Sequence, residues 1–442
     1  MSVAARIGLL EALPPASRSA VERLISVATQ RGLAVHMVGG PVRDFLLGRA
    51  VRDADLIVED RIPGAGLDLA REALPGARVV AHGRFGTVRI DLPEARVDLA
   101  TVRSEHYPSP GALPIVAAGT LDDDLLRRDF AVNALAVPLT PRAREGRAAI
   151  IDLVKGQEDL AAKTLRILHP RSLHDDPTRA LRAARLGARL GFSLSRGSRV
   201  ALRDALRDGV FGRVSGDRLR RELEKLFDDA AHGTDPALAL RMLDEWHVLA
   251  ALEPGLRLHR SSVAPLRRLG RLLVSPPWPS PRLRRLAAGL AVWLAPLDAG
   301  LRQRTLQRAA VRGEVAVRIA TFPRLRDVAL RELGKARGRG AIDAGLGGLG
   351  DEELLALLAF AVPTPRRRIL RYATEDRPRR LPVAGDDLVA LGLSGPAIGK
   401  ALARIRAEML DGRLRGRDDA LALARELGRR RATGAGRRVQ RV

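Results

Sequence analysis

The 442-residue chain contains no cysteine, which excludes disulfides, thiolate metal sites and cysteine nucleophiles outright and fits a cytoplasmic protein. Aromatic residues make up only 3% of it, so its cores must be aliphatic, built from Leu, Val and Ala. Long apolar runs are missing too. The best, Leu286 to Leu297, has 12 residues and falls short of the roughly 20 that a membrane-spanning helix needs. The start, Met1 to Ala16, carries Glu11 and two prolines and lacks the layout of a secretory signal, so no membrane association is expected.

What is present is positive charge and aliphatic bulk. Lys and Arg number 76 against 51 Asp and Glu, a formal net charge of +25, which points to a polyanionic partner, most simply nucleic acid. Hydrophobic residues at 46% argue for folded cores, and the length allows several domains. Strand-like runs at 34–38, 53–59, 78–82, 86–92 and 96–102 alternate with helical patterns at 18–32, 42–48 and 67–74. Beyond about residue 158 the strand signal fades into helical segments at 177–191, 199–208, 215–229 and 236–245. A further helical block, 385–427, precedes a basic tail expected to be disordered. The expected fold is a small α/β head followed by an all-α remainder. Its divisions are a head at 1–145, a neck at 146–235, a body at 236–375, a tail at 376–428 and the disordered end at 429–442.

The densest chemical signal is Val38-Gly39-Gly40-Pro41-Val42-Arg43-Asp44 followed by Asp53-Ala54-Asp55-Leu56-Ile57-Val58. A glycine pair after an apolar strand admits phosphate oxygens to within reach of the backbone. Residues i and i+2 of a strand share a face, so Asp53 and Asp55 aim two carboxylates at one spot beside that turn. Paired carboxylates suit Mg²⁺ completed by substrate phosphates, and the combination describes a two-metal site that moves a nucleotide from a triphosphate. Asp98, on an alternating strand at 96–102, is a third carboxylate that an antiparallel neighbour could bring alongside. In Asp122-Asp123-Asp124-Leu125-Leu126-Arg127-Arg128-Asp129-Phe130-Ala131-Val132-Asn133-Ala134, the acids read as the capped start of a helix whose Phe130 and Leu135 enter the core. Asp129 and Asn133, at i and i+4, then share a face and could hold a ribose. Asp176-Pro177 reads as a helix start, and Arg179, Arg182 and Arg185 recur every three residues as a basic ridge, solvated or set against a triphosphate.

These segments together resemble the class II tRNA nucleotidyltransferase and bacterial poly(A) polymerase family. The resemblance is strong over about 1–235 and moderate over 380–425. It implies a nucleotidyltransferase palm with a small mixed sheet. It implies two Mg²⁺ ions held by Asp53 and Asp55, with Asp98 as ligand or base. Gly39, Gly40, Arg43, Arg182 and Arg185 would bind the triphosphate, and Arg128, Asp129 and Asn133 the ribose. Asp176 and Arg179 would select the base, although Asp175 stands where that family usually has Glu. The implied activity is template-independent transfer of CMP and AMP from CTP and ATP to the 3′ end of tRNA, with no protein partner. Addition of CC alone, of A alone, and poly(A) synthesis stay open, as does a non-catalytic RNA-binding protein that has kept the fold. The loop Ser104 to Thr120 has roughly the full family length, which favours completing the terminal A. Asp152-Leu153-Val154-Lys155-Gly156, with Asp159 and Arg166, matches the family's link between head and neck and is read as a hinge. Arg213 to Leu223 matches a structural neck segment, and Gly385 to Gly399 a tail segment suited to RNA backbone contact. His174-Asp175, the sole His-Asp dipeptide among eight histidines, gives no phosphohydrolase-type metal site.

Overall fold

The computed structural model describes residues 8–60, 65–82, 87–93, 95–145 and 150–439, with backbone alone from 430 onward. It divides into two compact units, residues 1–222 with 242–254 and residues 223–241 with 255–442. The neck up to Glu222 thus belongs with the head. The expected head–neck boundary at 145/146 falls beside residues 146–149, outside the described residues, as does the 1–7 portion of the start.

In the first unit, helix α1 (Pro15–Gln30) buries Ala20, Val21, Leu24 and Ala28 at helical spacing. Strand β1 (Ala34–Val38) is buried at all five positions, so both of its faces are covered. Gly39 then turns the chain at φ 72°, a conformation open to glycine, into the short helix α2 (Gly40–Leu46). Further strands are β2 (Ala54–Glu59), β3 (Arg78–His82), β4 (Thr87–Leu92), β5 (Ala95–Thr101), β6 (Arg103–His106), β7 (Ile115–Ala118), β8 (Leu135–Pro138) and β9 (Ile151–Asp152), with a short parallel pair at Thr164–Leu165 and Ser193–Leu194 beyond them. Seven of them form a mixed sheet in the order β3-β4-β5-β2-β1-β8-β9, while β6 and β7 make a separate hairpin. The core beneath is aliphatic, with Val38, Ile57, Val102, Leu121, Leu125, Ala136 and Ile151 in one cluster.

The register corrects one expectation. Strand β5 lies parallel, not antiparallel, to β2, with Asp55 opposite Asp98 and Leu56 opposite Leu99. Its antiparallel partner is β4, which sets Arg89 opposite Asp98. The helical chain between β2 and β3, α3 (Ala65–Ala73), buries Leu69 and Ala70, as a parallel return requires a cover on one face. Thr120 caps helix α4 (Leu121–Leu126) in a reciprocal box with Asp123, so the acidic triplet does start a helix. Phe130 and Leu135 are both fully buried, as expected.

The second unit is helical. Helix Arg285–Leu294 is buried from Ala287 through Leu294, and helix Asp351–Phe360 buries Leu354 through Ala359. The C-terminal segment closes its own small core of Val383, Leu388, Leu393, Ala401, Ile405, Ala420 and Ala424. The last helix runs Arg417–Val439, so it takes in residues 429–439 that were expected to be disordered. Arg and Ala are strong helix formers, which outweighs the charge of the segment. Residues 440–442 lie outside the described residues. No helix among the described residues is long and apolar enough to cross a membrane.

Candidate active site

The site is built around the turn between β1 and α2. A side chain on Gly40 would place its Cβ 3.7 Å from Arg43 Nη2 and 4.0 Å from Asp55 Oδ2, so the turn and the Asp55 carboxylate are adjoining. At Gly39 the same test puts Arg128 Nη1 at 2.7 Å, inside contact distance. Arg128 is fixed there by donating to the Asn133 carbonyl (3.3 Å) and to Asp124 Oδ2 (3.0 Å). The Gly39 N–H is already spent on the Leu135 carbonyl at 3.1 Å.

Asp55 and Asp98 are register partners across the β2–β5 pairing, and Asp53 acts on Asp55 from just before the strand. Burial, then the negative charge of Asp98, push the Asp55 carboxyl up to about 6; Arg128 opposes the rise and Asp53 adds to it. Asp53 itself precedes the strand and is exposed. Asp98 leans on Arg89 (3.5 Å) and Arg96 (3.3 Å), its neighbours across and along the sheet. Among the described residues no group of three or more His, Cys, Asp or Glu is arranged to enclose a metal ion. The donor set therefore does not fit a closed all-protein cage. It does fit Mg²⁺, which takes one or two carboxylates and fills its other positions with water and phosphate oxygens. An Asp55 carboxyl raised by burial and then by Asp98 is the electrostatic counterpart of that fit, since a cation would favour its charged form.

Asp129 and Asn133 are brought together, although not on a helix face. Helix α4 ends at Leu126, and a 3₁₀ turn at Ala131–Asn133 follows. Asp129 Oδ1 accepts from the Phe130 N–H (2.9 Å) and from Asn133 Nδ2 (2.9 Å). Its Oδ2 lies 2.8 Å from Arg182 Nη2 in an ion pair and takes no directed hydrogen bond. Burial works against this carboxylate, but Arg182 and the Asn133 amide outweigh it and hold it below the usual range.

Helix α5 (Thr178–Leu190) brings further charged side chains to Asp129. Asp176 Oδ1 accepts from Thr178 N (2.9 Å) and Thr178 Oγ1 (2.6 Å), so the expected cap is real although Pro177 occupies the boundary position. Arg218 Nη2 reaches the same oxygen at 2.5 Å while its Nη1 donates to the Gly111 carbonyl at 2.9 Å. The arginines of the expected ridge are each engaged. Arg179 is buried, donating to Ser172 Oγ and, at 2.9 Å, to the Arg127 carbonyl. Arg182 pairs with Asp129, and Arg185 with Glu222 at 2.8 Å. A further departure is Arg43. The residue is 3% exposed and its guanidinium donates to Asp44 Oδ1 (2.8 Å) and Asn133 Oδ1 (2.6 Å), so within the protein it braces the turn against the Asn133 segment.

The expected hinge is a tied turn. Asp152 accepts from Gly156 N (2.7 Å) and Gln157 N (3.0 Å), Arg166 pairs with Asp159 at 2.7 Å, and a Cβ on Gly156 would lie 2.2 Å from the Ala131 carbonyl oxygen. Residues that the motifs alone did not single out include Asp124, fully buried and anchoring Arg127 and Arg128, and Arg218, which ties Gly111 to Asp176. Asp124 carried a signal, being the third acid of a triplet of which a helix cap needs only one.

Residues 35–166 match the family model described as the poly A polymerase head domain. The A-adding tRNA nucleotidyltransferase of Geobacter sulfurreducens is 32% identical over 438 residues, which cover 93% of this chain and 47% of that protein. The CC-adding tRNA nucleotidyltransferase of Deinococcus radiodurans is 40% identical over 225 residues, 50% of this chain and 56% of that protein. The chain spans about half the length of the curated relatives it matches. Among solved structures, a CCA-adding enzyme in an apo form superposes with a TM-score of 0.74 at 28% identity, over 96% of this chain and 98% of the other. The Thermotoga maritima CCA-adding enzyme complexed with tRNA gives a TM-score of 0.68 at 26% identity, over 94% and 97%.

Proposed function

We propose that this chain, whose residues 35–166 match the poly A polymerase head domain, is an enzyme that adds CMP and AMP from CTP and ATP to the 3′ acceptor end of tRNA. The observation that carries this reading is Asp55 beside the Gly39–Gly40 turn, in register with Asp98 and under the negative charge of Asp98 and Asp53. A head that binds a triphosphate against acidic groups, in a chain of net charge +25, fits a nucleotide donor and a polyanionic acceptor.

In this reading the RNA 3′-oxygen attacks the α-phosphorus, a new O–P bond forms, the bond to the β-phosphate breaks and pyrophosphate departs. Asp53 and Asp55 would hold two Mg²⁺ ions, and the chemistry such ions would supply is to acidify the attacking hydroxyl and neutralise the leaving group. Asp98 stands beside them to take up the 3′-hydroxyl proton. Gly40 lets the phosphates approach the backbone, and Arg128, with Arg182 and Arg185, supplies positive charge. Asp129 and Asn133 receive the ribose hydroxyls, and Asp176 and Arg179 read the base edges. The helical second unit contributes charge for the tRNA backbone. Absence of cysteine fits the cytoplasm.

A second reading, addition of A alone, has its own support, because the Geobacter relative that aligns with 93% of this chain is an A-adding enzyme. The test is primer extension on tRNA transcripts ending before CCA, after C and after CC, with Mg²⁺ and labelled CTP or ATP. The expected result is C, C and A on the first transcript, then a stop, abolished in Asp53→Ala/Asp55→Ala. Addition of A to the CC-ended transcript alone selects the second reading. Long A tails on unstructured RNA make the protein a poly(A) polymerase, and tRNA binding without incorporation overturns the catalytic reading.

A further inference from the structure

A continuous chain of hydrogen bonds and ion pairs leaves helix α5, passes through Asp44 and Arg43 of helix α2 and the Asp129–Asn133 segment, and returns to the same helix. Arg189, near the end of α5, donates to Asp44 Oδ2. Asp44 Oδ1 accepts from Arg43 Nε at 2.8 Å. Arg43 Nη1 donates to Asn133 Oδ1 at 2.6 Å. Asn133 Nδ2 donates to Asp129 Oδ1 at 2.9 Å, and Asp129 Oδ2 pairs with Arg182 Nη2 at 2.8 Å. Arg182 and Arg189 are seven positions apart on α5, two helical turns, and so share a face.

The direction of this chain matters chemically. An amide side chain can present either its oxygen or its nitrogen to a given neighbour. Arg43 offers only donors, so it claims the Asn133 oxygen and turns the nitrogen toward Asp129. Asp129 is thereby occupied at Oδ1, and its Oδ2 is left with a buried acceptor lone pair that no directed hydrogen bond fills. Asn133 Nδ2 retains a second hydrogen. One donor and one acceptor, side by side, match a pair of ribose hydroxyls. Arg43 in turn has a defined fork direction because Asp44 holds its Nε edge, and Asp44 is 6% exposed.

We propose that Asp44 and Arg189 are positioning residues for ribose recognition: through Arg43 they fix the orientation of Asn133 and Asp129, and with it the preference for ribonucleotides over deoxyribonucleotides. The proposal rests on the nucleotide-transfer reading above and deepens it. Neither residue touches the nucleotide in this arrangement.

The experiment measures equilibrium binding of CTP and dCTP, with Mg²⁺ present, and the kcat and KM of each in tRNA extension. The proteins are the full chain, Asp44→Asn, Arg189→Gln and Arg49→Ala. Arg49 donates to the Arg189 carbonyl at 3.0 Å, so it contacts the same end of α5 without entering the chain of bonds. In Asp44→Asn and Arg189→Gln the preference for CTP over dCTP is expected to fall by about tenfold, mostly through Kd and KM for CTP, with kcat changed less. Arg49→Ala is expected to keep the unaltered chain's preference. Arg189 is more than a third exposed, so its variant reads out the effect even where Asp44→Asn fails to fold. An unchanged preference in both Asp44→Asn and Arg189→Gln, or an equal loss in Arg49→Ala, overturns the proposal. Failure of the unaltered chain to bind or incorporate CTP at all removes the underlying reading instead.

Discussion

Replacing Asp55 with asparagine in the metal-free protein is expected to raise its stability at neutral pH, because the charge that Asp55 carries is disfavoured where the fold puts it. Burial first, and then Asp98, lift its carboxyl from 3.8 to about 6. The folded state thus holds this proton more tightly than the unfolded chain does. Protonation favours folding: the contribution is fully present below 3.8 and is lost as pH rises through about 6. That interval is about 2.2 pH units, which at 1.36 kcal/mol per unit corresponds to about 3 kcal/mol. Asn imitates the protonated acid in shape and lacks the titration. Urea denaturation with a chelator present should therefore show Asp55→Asn more stable by up to about 3 kcal/mol near neutral pH, the gap closing near pH 4. Adding Mg²⁺ should stabilise the unaltered chain and leave the variant unmoved, because only a state that binds the ion gains from it. The reasoning is refuted if the two proteins are equally stable at neutral pH, or if the gap persists undiminished in acid.

Further outcomes follow from close approaches and caps. Gly39→Ala puts a Cβ 2.7 Å from Arg128 Nη1 at φ 72°, so steady-state assays should show at least about a tenfold loss of activity as Arg128 is displaced. Gly156→Ala sets a Cβ 2.2 Å from the Ala131 carbonyl oxygen and should cost about 1–3 kcal/mol in denaturant titration, since backbone cannot yield as a side-chain tip can. Gly289→Ala, whose Cβ would lie 2.3 Å from the Phe227 ring in the helical unit, should lower Tm without altering nucleotide preference. Asp176→Ala removes the cap on Thr178 and the partner of Arg218; it should cost about 1 kcal/mol or more in stability and change the ratio of C to A incorporated.

Local chemistry made a large part of this protein readable from its residues alone. The glycine pair after an apolar strand, the Thr120–Asp123 cap and the helical spacing of leucines each act within a few residues, so their outcomes need no partner from elsewhere. The aliphatic core followed from composition, since little aromatic bulk was available to fill it. The resemblance carried by the acidic and glycine segments agrees with the match of residues 35–166 to the poly A polymerase head domain.

What the residues could not disclose was pairing between segments remote in the chain. Whether β5 runs parallel or antiparallel to β2 depends on how the sheet closes between them, and the alternation of side chains is the same either way. Arg43 reads as a phosphate ligand beside a glycine turn, and becomes an internal brace only because Asp44 and Asn133 converge on it. Arg179, Arg182 and Arg185 read as one basic ridge, solvated or set against a triphosphate, and are divided among Ser172, Asp129 and Glu222 by the packing of α5. A guanidinium takes whichever acceptor the fold presents, and its fork satisfies a carboxylate of the protein as readily as a phosphate. Sequence therefore determined which charged groups gather at the head, and tertiary structure alone decided which of them the protein keeps for itself and which it leaves for a ligand.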